Sequence, residues 1–392
     1  MDSKIFTMLL AAFILVSCGA DGNSSKGIIG SPLQQESGIF NSYGIETSKV
    51  FVVDETTDRL LGIGLSDFAI KHQFELKKKE DEHVTIMDIN EKFVIDFSKK
   101  HLNIYGLDGG VYDRPFNFQG TPTSAAYNPF TRTMIIQDNL QSVGMMQLAE
   151  NGSITSSWLG GPQLASGTSI VAGDLDKTGR LVLAMSDETM AVVDVTQSIA
   201  QQSWQQTAFS PGLGKVTWVA PDSRNPDLLL VSSSTKIAII NSATKVVVDQ
   251  KTLDSSSSIR FSSKAGLGHV FTEKAGVVSL YFINSQGAIG VESLAQASLT
   301  GLKQSFLSAD AASITLLFEV GYRERSVLKM RLSDALVEVE KSIDTTGETS
   351  INGSTVFVNF KDPLGALELH SLTSDDVKRL EGYNFDYLRA HN

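Results

Sequence analysis

The feature that most constrains this chain is a recurrence of short apolar runs. FVVDE begins at Phe51, FVIDF at Phe93, MIIQD at Met134, LVLAM at Leu181, LLLVS at Leu228, VFTEK at Val270, ITLLF at Ile314 and VFVNF at Val356. Their starts lie about 43 residues apart, and a period of roughly 40 to 50 residues marks a repeated supersecondary unit. The runs are rich in Val, Ile and Phe and are separated by Gly, Asn, Asp and Ser. They are too short for helices, and no helical stripe bridges them, so they read as strands.

The order within one unit is also readable. Before each apolar run comes a stretch of small residues and a turn, as in TSAAYNPFT, SIVAGDLDKTG, VTWVAPDSRNP and SFLSADAAS. Small side chains such as Ser124, Ala125, Ala126, Val171 and Ala172 suit an innermost strand where units converge on an axis. The apolar run follows. Its lack of polar alternation fits burial on both faces. A third strand comes next (AVVDV from Ala191, IAIIN from Ile237, SLYFI from Ser279), and Gly- and Asn-containing turns lead to a more polar outer strand. This is the pattern of an all-β chain folded as a β-propeller of four-stranded blades. Counting the runs gives eight blades. Seven is the alternative, if Phe40 to Glu46 fails to supply the first inner strand and the first and last units share a blade. From Ser374, SDDVKRLEGY carries a helix start signal, with Gly382 as a stop. In architecture and period, roughly residues 40–385 resemble the YVTN and quinoprotein-like propellers of bacterial surfaces and periplasm. The sequence lacks a regular Gly-His to Trp-Asp pairing, and Trp158, Trp204 and Trp218 do not recur in phase.

The amino terminus reads as an address. Residues 1–17 have Lys4 in a short polar head, then an apolar run from Ile5 to Val16. That run is about a dozen residues, whereas a membrane-spanning helix needs roughly 20. The only cysteine follows directly, in Leu15-Val16-Ser17-Cys18. This resembles the lipobox of bacterial lipoproteins. The resemblance implies a signal peptide over 1–17, diacylation of the Cys18 sulfur, cleavage before it and acylation of the new amine. Gly19, where inner-membrane retention usually needs Asp, implies an outer-membrane or cell-surface location. The alternative is an ordinary leader cleaved near Ala20. Residues 18–38 are rich in Gly, Ser and Asn and are expected to form a flexible tether to a propeller domain over 39–392.

Composition narrows the function classes. The chain has 392 residues and a formal net charge of -11, so a nucleic-acid partner, which needs clustered Lys and Arg, is not expected. One cysteine permits no intramolecular disulfide and no cysteine-based zinc cluster. There is no Gly-x-Ser-x-Gly elbow. His72, His83, His101, His269, His370 and His391 fall in different units without ligand spacing. No catalytic, cofactor or metal residue is assigned, and the lipid-attachment residue is Cys18.

Four local patterns merit a structural test. The first is Gly173-Asp174-Leu175-Asp176-Lys177-Thr178-Gly179, which resembles the calcium loops of integrin-type propellers, with a poorer version over Pro221 to Asp227. The plainer reading of both is a turn whose Asp caps backbone amides. The second is the charge run Lys77 to His83, expected as a solvated loop. The third is Tyr322-Arg323-Glu324-Arg325 at a hairpin tip, a candidate partner site. The fourth is the aromatic group from Tyr112 to Phe118, with Arg114 and Pro115, which suits either a groove or a packed loop. The resulting expectation is a lipid-anchored scaffold that binds a protein or glycan at the bacterial cell envelope. The alternative is an enzyme of lactonase or glycan-cleaving type, with its site at one rim of the channel.

Overall fold

The computed structural model describes residues 40–41, 49–54 and 59–390 with short interruptions, the longest being 76–84 and 295–300. Among the described residues the strands form eight sheets, each with four antiparallel strands and one with a short parallel fifth, numbered here in chain order. Sheet 1 is built from Phe385–Ala390, Lys49–Asp54, Arg59–Gly64 and Ile70–Glu75, from first to fourth strand. Sheet 2 uses Thr85–Asp88, Phe93–Phe97, His101–Gly106 and Val111–Pro115. Sheet 3 uses Pro122–Asn128, Thr133–Asp138, Val143–Leu148 and Ile154–Gly160. Sheet 4 uses Ile170–Leu175, Arg180–Met185, Met190–Asp194 and Gln206–Phe209. Sheet 5 uses Val216–Pro221, Leu228–Ser233, Lys236–Asn241 and Val246–Thr252. Sheet 6 uses Ser258–Ser262, His269–Lys274, Val277–Ile283 and Ile289–Leu294. Sheet 7 uses Leu302–Leu307, Ser313–Glu319, Glu324–Arg331 and Leu336–Asp344. Sheet 8 uses Glu348–Asn352, Thr355–Phe360, Ala366–Ser371 and Val377–Glu381.

All eight apolar runs fall in second strands, and the packing shows why they are apolar throughout. Successive side chains of a strand point to opposite faces. In sheet 3, Met134 and Ile136 pack against Leu102 and Ile104 of sheet 2, while Ile135 joins Leu181 and Leu183 of sheet 4. In sheet 5, Leu229 and Val231 meet sheet 4, and Leu228 and Leu230 meet sheet 6. Outer strands have a neighbour on fewer sides, so their burial alternates, as along Ile70–Glu75 and Leu336–Asp344. Ala126 and Ala172 of the inner strands are buried between sheets, but so are the larger inner-strand side chains of Tyr127 and Trp218, so small size is not a requirement there.

Side-chain contacts, most of them polar, join successive sheets. Asn151 Nδ2 donates to Tyr112 Oη between sheets 2 and 3. The Ile170 amide donates to Gln141 Oε1 between sheets 3 and 4. The Ile289 amide donates to Asp249 Oδ2 between sheets 5 and 6, and the Ile351 amide to Gln304 Oε1 between sheets 7 and 8. Lys378 Nζ donates to the Asp67 carbonyl, linking sheet 8 back to sheet 1, and Phe74 and Tyr105 bring sheets 1 and 2 together at 5.7 Å between ring centres. The sheets therefore close into a wheel, and the architecture is a β-propeller. Because successive strands reverse, first-to-second and third-to-fourth turns gather at one end of the wheel, here the front face. Second-to-third turns and the connections between sheets lie at the other, the back face.

Three details depart from expectation. The first strand of sheet 1 is not Phe40 to Glu46 but the C-terminal Phe385–Ala390, with Val52 opposite Leu388. Phe40–Asn41 instead pairs in parallel with the inner strand of sheet 4, Phe40 opposite Gly173 and Asn41 opposite Asp174. The helix expected from Ser374 is a turn and a strand. Ser374 Oγ hydrogen-bonds Asp376 Oδ2 at 2.7 Å, and Val377–Glu381 then pairs with Ala366–His370. A ready strand edge outweighs local helix propensity there. The one α-helix among the described residues is Val195–Gln201, between the third and fourth strands of sheet 4, with Asp194 capping the Gln197 amide at 2.8 Å.

His269 illustrates how the wheel uses buried polar groups. Its Nε2 shares a 2.7 Å hydrogen bond with Ser305 Oγ across sheets 6 and 7. Burial lowers its pKa from the ordinary histidine value of 6.5 to about 4, with the Leu267 carbonyl opposing the shift. The folded state thus holds the imidazole neutral. Its contribution is whole above pH 6.5 and is lost as pH falls towards 4, because the unfolded chain binds the proton first. The loss amounts to roughly 3 kcal/mol. His269→Gln is expected to flatten the drop in urea midpoint between pH 7 and pH 4. Separately, deleting residues 385–392 removes the closing strand and should abolish cooperative unfolding and produce oligomers in light scattering. Deleting residues 391–392 should do neither.

Candidate binding site

The two acid-rich loops singled out in the sequence are the first-to-second turns of sheets 4 and 5, side by side on the front face. The corresponding turn of sheet 3 flanks them. In each, a residue at or just past the end of the inner strand turns its side chain onto the amides of its own loop. Asn128 Oδ1 accepts from the Phe130 and Thr131 amides. Asp176 Oδ1 accepts from the Thr178 amide at 2.9 Å, the Thr178 hydroxyl at 2.7 Å and the Arg180 amide at 2.9 Å. Asp222 Oδ1 accepts from the Arg224 amide at 2.7 Å, and Ser308 Oγ does the same for sheet 7 with Ala312 and Ser313. The turn reading of these loops is the one the geometry follows.

Arginines supply the positive charge in both acidic loops. Arg180 Nε donates to Asp176 Oδ2 at 2.6 Å, while its Nη2 reaches Asp227 Oδ1 at 3.0 Å and the Pro226 carbonyl and Ser242 Oγ at 3.1 Å each. One guanidinium thus ties the loop of sheet 4 to that of sheet 5. Partial burial works against its charge, but Asp176 and then Asp227 outweigh that and raise its pKa. In the next loop Arg224 grips Asp222 through Nε at 3.0 Å and Nη2 at 2.7 Å, and also donates to the Ile283 carbonyl of sheet 6. On the other side, Asn128 Nδ2 donates to the Asp176 carbonyl.

Gly179 completes the junction. Its φ is +83°, and a Cβ there would stand 2.8 Å from Thr131 Oγ1 of sheet 3, so the loops approach more closely than any side chain permits. Asp174 lies apart from this network on the inner strand. Burial raises its pKa well above the carboxylate value, its hydrogen bond from the Leu175 amide opposes the shift, and Asp176 adds to it. The two carboxyls of the calcium-loop pattern therefore play different parts, Asp176 as a paired cap and Asp174 as a buried acid favouring its neutral form. Among the described residues no group of three or more His, Cys, Asp or Glu is placed to hold a metal ion.

What this rigid patch presents to solvent is Phe130, 57% exposed, with the Lys177 ammonium 4.9 Å from its ring centre. Neither Phe130 nor Arg180 stood out in the sequence. The signal that points to Arg180 is a basic residue directly after an Asp-x-x-Gly turn, beside a second acidic loop one repeat on.

The other candidates fall elsewhere. Tyr322 is 85% exposed on the back face of sheet 7, on a tip held by Arg323 with Asp344 at 2.9 Å and by Arg325 with Glu319 at 3.2 Å. Tyr112, Arg114 and Pro115 lie on the outer strand of sheet 2, and Phe118 is buried between sheets 2 and 3. His370 pairs with Glu368 at 3.1 Å, and His72 stacks on Phe74. Cys18, the tether, Lys77 to His83 and His391 lie outside the described residues.

No protein-family model and no curated protein matches the chain. Solved structures do. The dihydro-heme d1 dehydrogenase NirN, in complex with DHE, aligns over 92% of this chain and 79% of its own, with a TM-score of 0.59 and 14% identity. The likeness is one of fold. A chain of the mitotic checkpoint complex aligns with a TM-score of 0.47 and 13% identity, over 82% of this chain and 92% of its own. A protein from Lactobacillus plantarum aligns at 0.46 and 11%, over 77% and 97%.

Removing Arg180 would leave the fully buried Asp176 carboxylate without its cation. Arg180→Ala is expected to cost about 3 kcal/mol in urea unfolding. Arg180→Lys should recover only part of it, since an ammonium cannot reach Asp176, Asp227 and Ser242 together.

Proposed function

We propose that the chain is a lipid-anchored β-propeller of eight blades that binds a protein or surface glycan partner at the bacterial cell envelope. The observation that carries this reading is the front-face patch, where three loops are locked into one surface with an aromatic ring exposed on it. Preformed surfaces lose little conformational entropy on binding, and an exposed aromatic beside a cation is a favourable anchor. Several buried polar groups hold the wheel together, while Asp174 on the inner strand of sheet 4 stands apart from them. Asp176 and Asp222 are gripped by arginines, His269 by Ser305, and Gln304 by the Ile351 amide. Anchoring rests on Leu15-Val16-Ser17-Cys18. Among the described residues no helix is long and apolar enough to cross a membrane.

The test is affinity capture from envelope extracts. Phe130→Ala should lower partner recovery by about 30-fold, the effect of losing a hot spot, while the melting temperature is unchanged. Cys18→Ala should release the protein from the membrane pellet yet retain the same partner. If Phe130→Ala recovers the partner as well as the parent does, the patch is not the binding site.

A further inference from the structure

We infer that the partner of the front-face patch is an acidic protein segment, whose apolar side chain lies against Phe130 and whose carboxylates meet Lys177 and Arg132. This rests on the proposed role of that patch and narrows it to one class of ligand.

The charges around the ring are unevenly matched. The acids of the neighbouring loops are already engaged: Asp176 and Asp222 are buried and held by Arg180 and Arg224, and Asp227 accepts from Arg180. Glu150 and Asp194 stand in the outer, third-to-fourth connections of sheets 3 and 4, with Asp194 capping the helix. The cations beside the ring are not engaged by acids. Lys177 is half-buried with its ammonium over Phe130, and Arg132 is exposed two residues further along the same turn. Neither side chain is ion-paired among the described residues. On a chain of net charge -11, two such cations flanking an exposed aromatic ring select an anionic ligand, because opposite charge steers approach and like charge repels.

The hydrogen-bonding groups decide between protein and glycan. A sugar is held by polar side chains that reach its hydroxyls, and the polar side chains of these loops are turned inward instead. Asn128 accepts from the Phe130 and Thr131 amides, the Thr131 hydroxyl meets that of Thr133, and the Thr178 hydroxyl donates to Asp176. One face of the Phe130 ring lies under the Lys177 ammonium. What the patch offers is therefore an apolar ring and two charges. An apolar side chain between carboxylates matches both, in the manner of a protein contact with an aromatic centre and a charged rim.

The experiment measures binding of defined probes to the full chain by fluorescence anisotropy. The probes are a short peptide of alternating Asp and Leu, the same peptide with Asn in place of Asp, and an oligogalacturonate as an anionic sugar chain. The acidic peptide should bind about tenfold more tightly than either of the others, and Lys177→Glu or Arg132→Glu should weaken it by about tenfold. Added salt should weaken it further, and Lys177→Arg should retain it. Both charge reversals should keep the parent's melting temperature, since neither side chain is ion-paired in the fold. Absent binding of the acidic peptide, equal binding of its Asn counterpart, or equal or tighter binding of oligogalacturonate overturns the inference. If Phe130→Ala weakens binding and the charge reversals do not, the patch stands and its selectivity for acid falls. If Phe130→Ala binds the acidic peptide as the parent does, the patch is the wrong site and both readings fall together.

Discussion

Burial of the second strands on both faces is the constraint on which this structure depends. A strand such as Leu228–Ser233, buried at every position, is stable only with a sheet on each side. Each neighbour has the same need, so a linear stack would leave two apolar faces in water. At about 25 cal/mol per Å² of apolar surface, an uncovered sheet face is a large fraction of a domain's net stability. Closing the ring removes both faces at once. The chain does this by returning its C-terminal strand to the start of sheet 1, so that residues distant in sequence complete one sheet.

Apolar packing sets the spacing of the sheets but is tolerant of sliding. The polar links fix position. Arg180, Arg224, His269 and Gln304 each reach from one sheet to a specific atom of the next. Such groups add little net stability, since desolvation offsets much of the attraction. Breaking one is costly, because the partner left behind stays buried and unpaired. They therefore act as registers, and the front-face loops inherit that rigidity.

Much of the wheel was legible in the sequence, because its signal repeats. The second strands from Phe51 to Val356 are all where the apolar runs stand, and the inner and third strands follow from the residues beside them. What escaped depended on pairing over distance. Nothing local in Phe385–Ala390 says that it belongs beside Lys49–Asp54, and Phe40–Asn41 is too short to show a pattern. The seven-residue helix at Val195 has less than two periods, so only its Asp194 cap announces it. Of the candidate site, the acidic loops were visible as turns. Their joining by Arg180 was not, since adjacency on a face is a property of the closed wheel.

Where the repeat is broken is also informative. A propeller imposes one geometry on every unit, so a departure must be tolerated by the neighbours on both sides. Apart from the closing strand of sheet 1, the departures in the described residues fall at sheet 4. It alone carries a fifth strand, holds the helix, and lies between the two loops to which its own acidic turn is tied. The helix packs towards sheet 3, where Trp204 meets Trp158 at 5.9 Å between ring centres. Sheets 3 to 5 thus form a sector stiffened from the axis outward, with Phe130 and Lys177 on its surface. The proposed function places partner contact there, on a surface whose shape the links between sheets set beforehand.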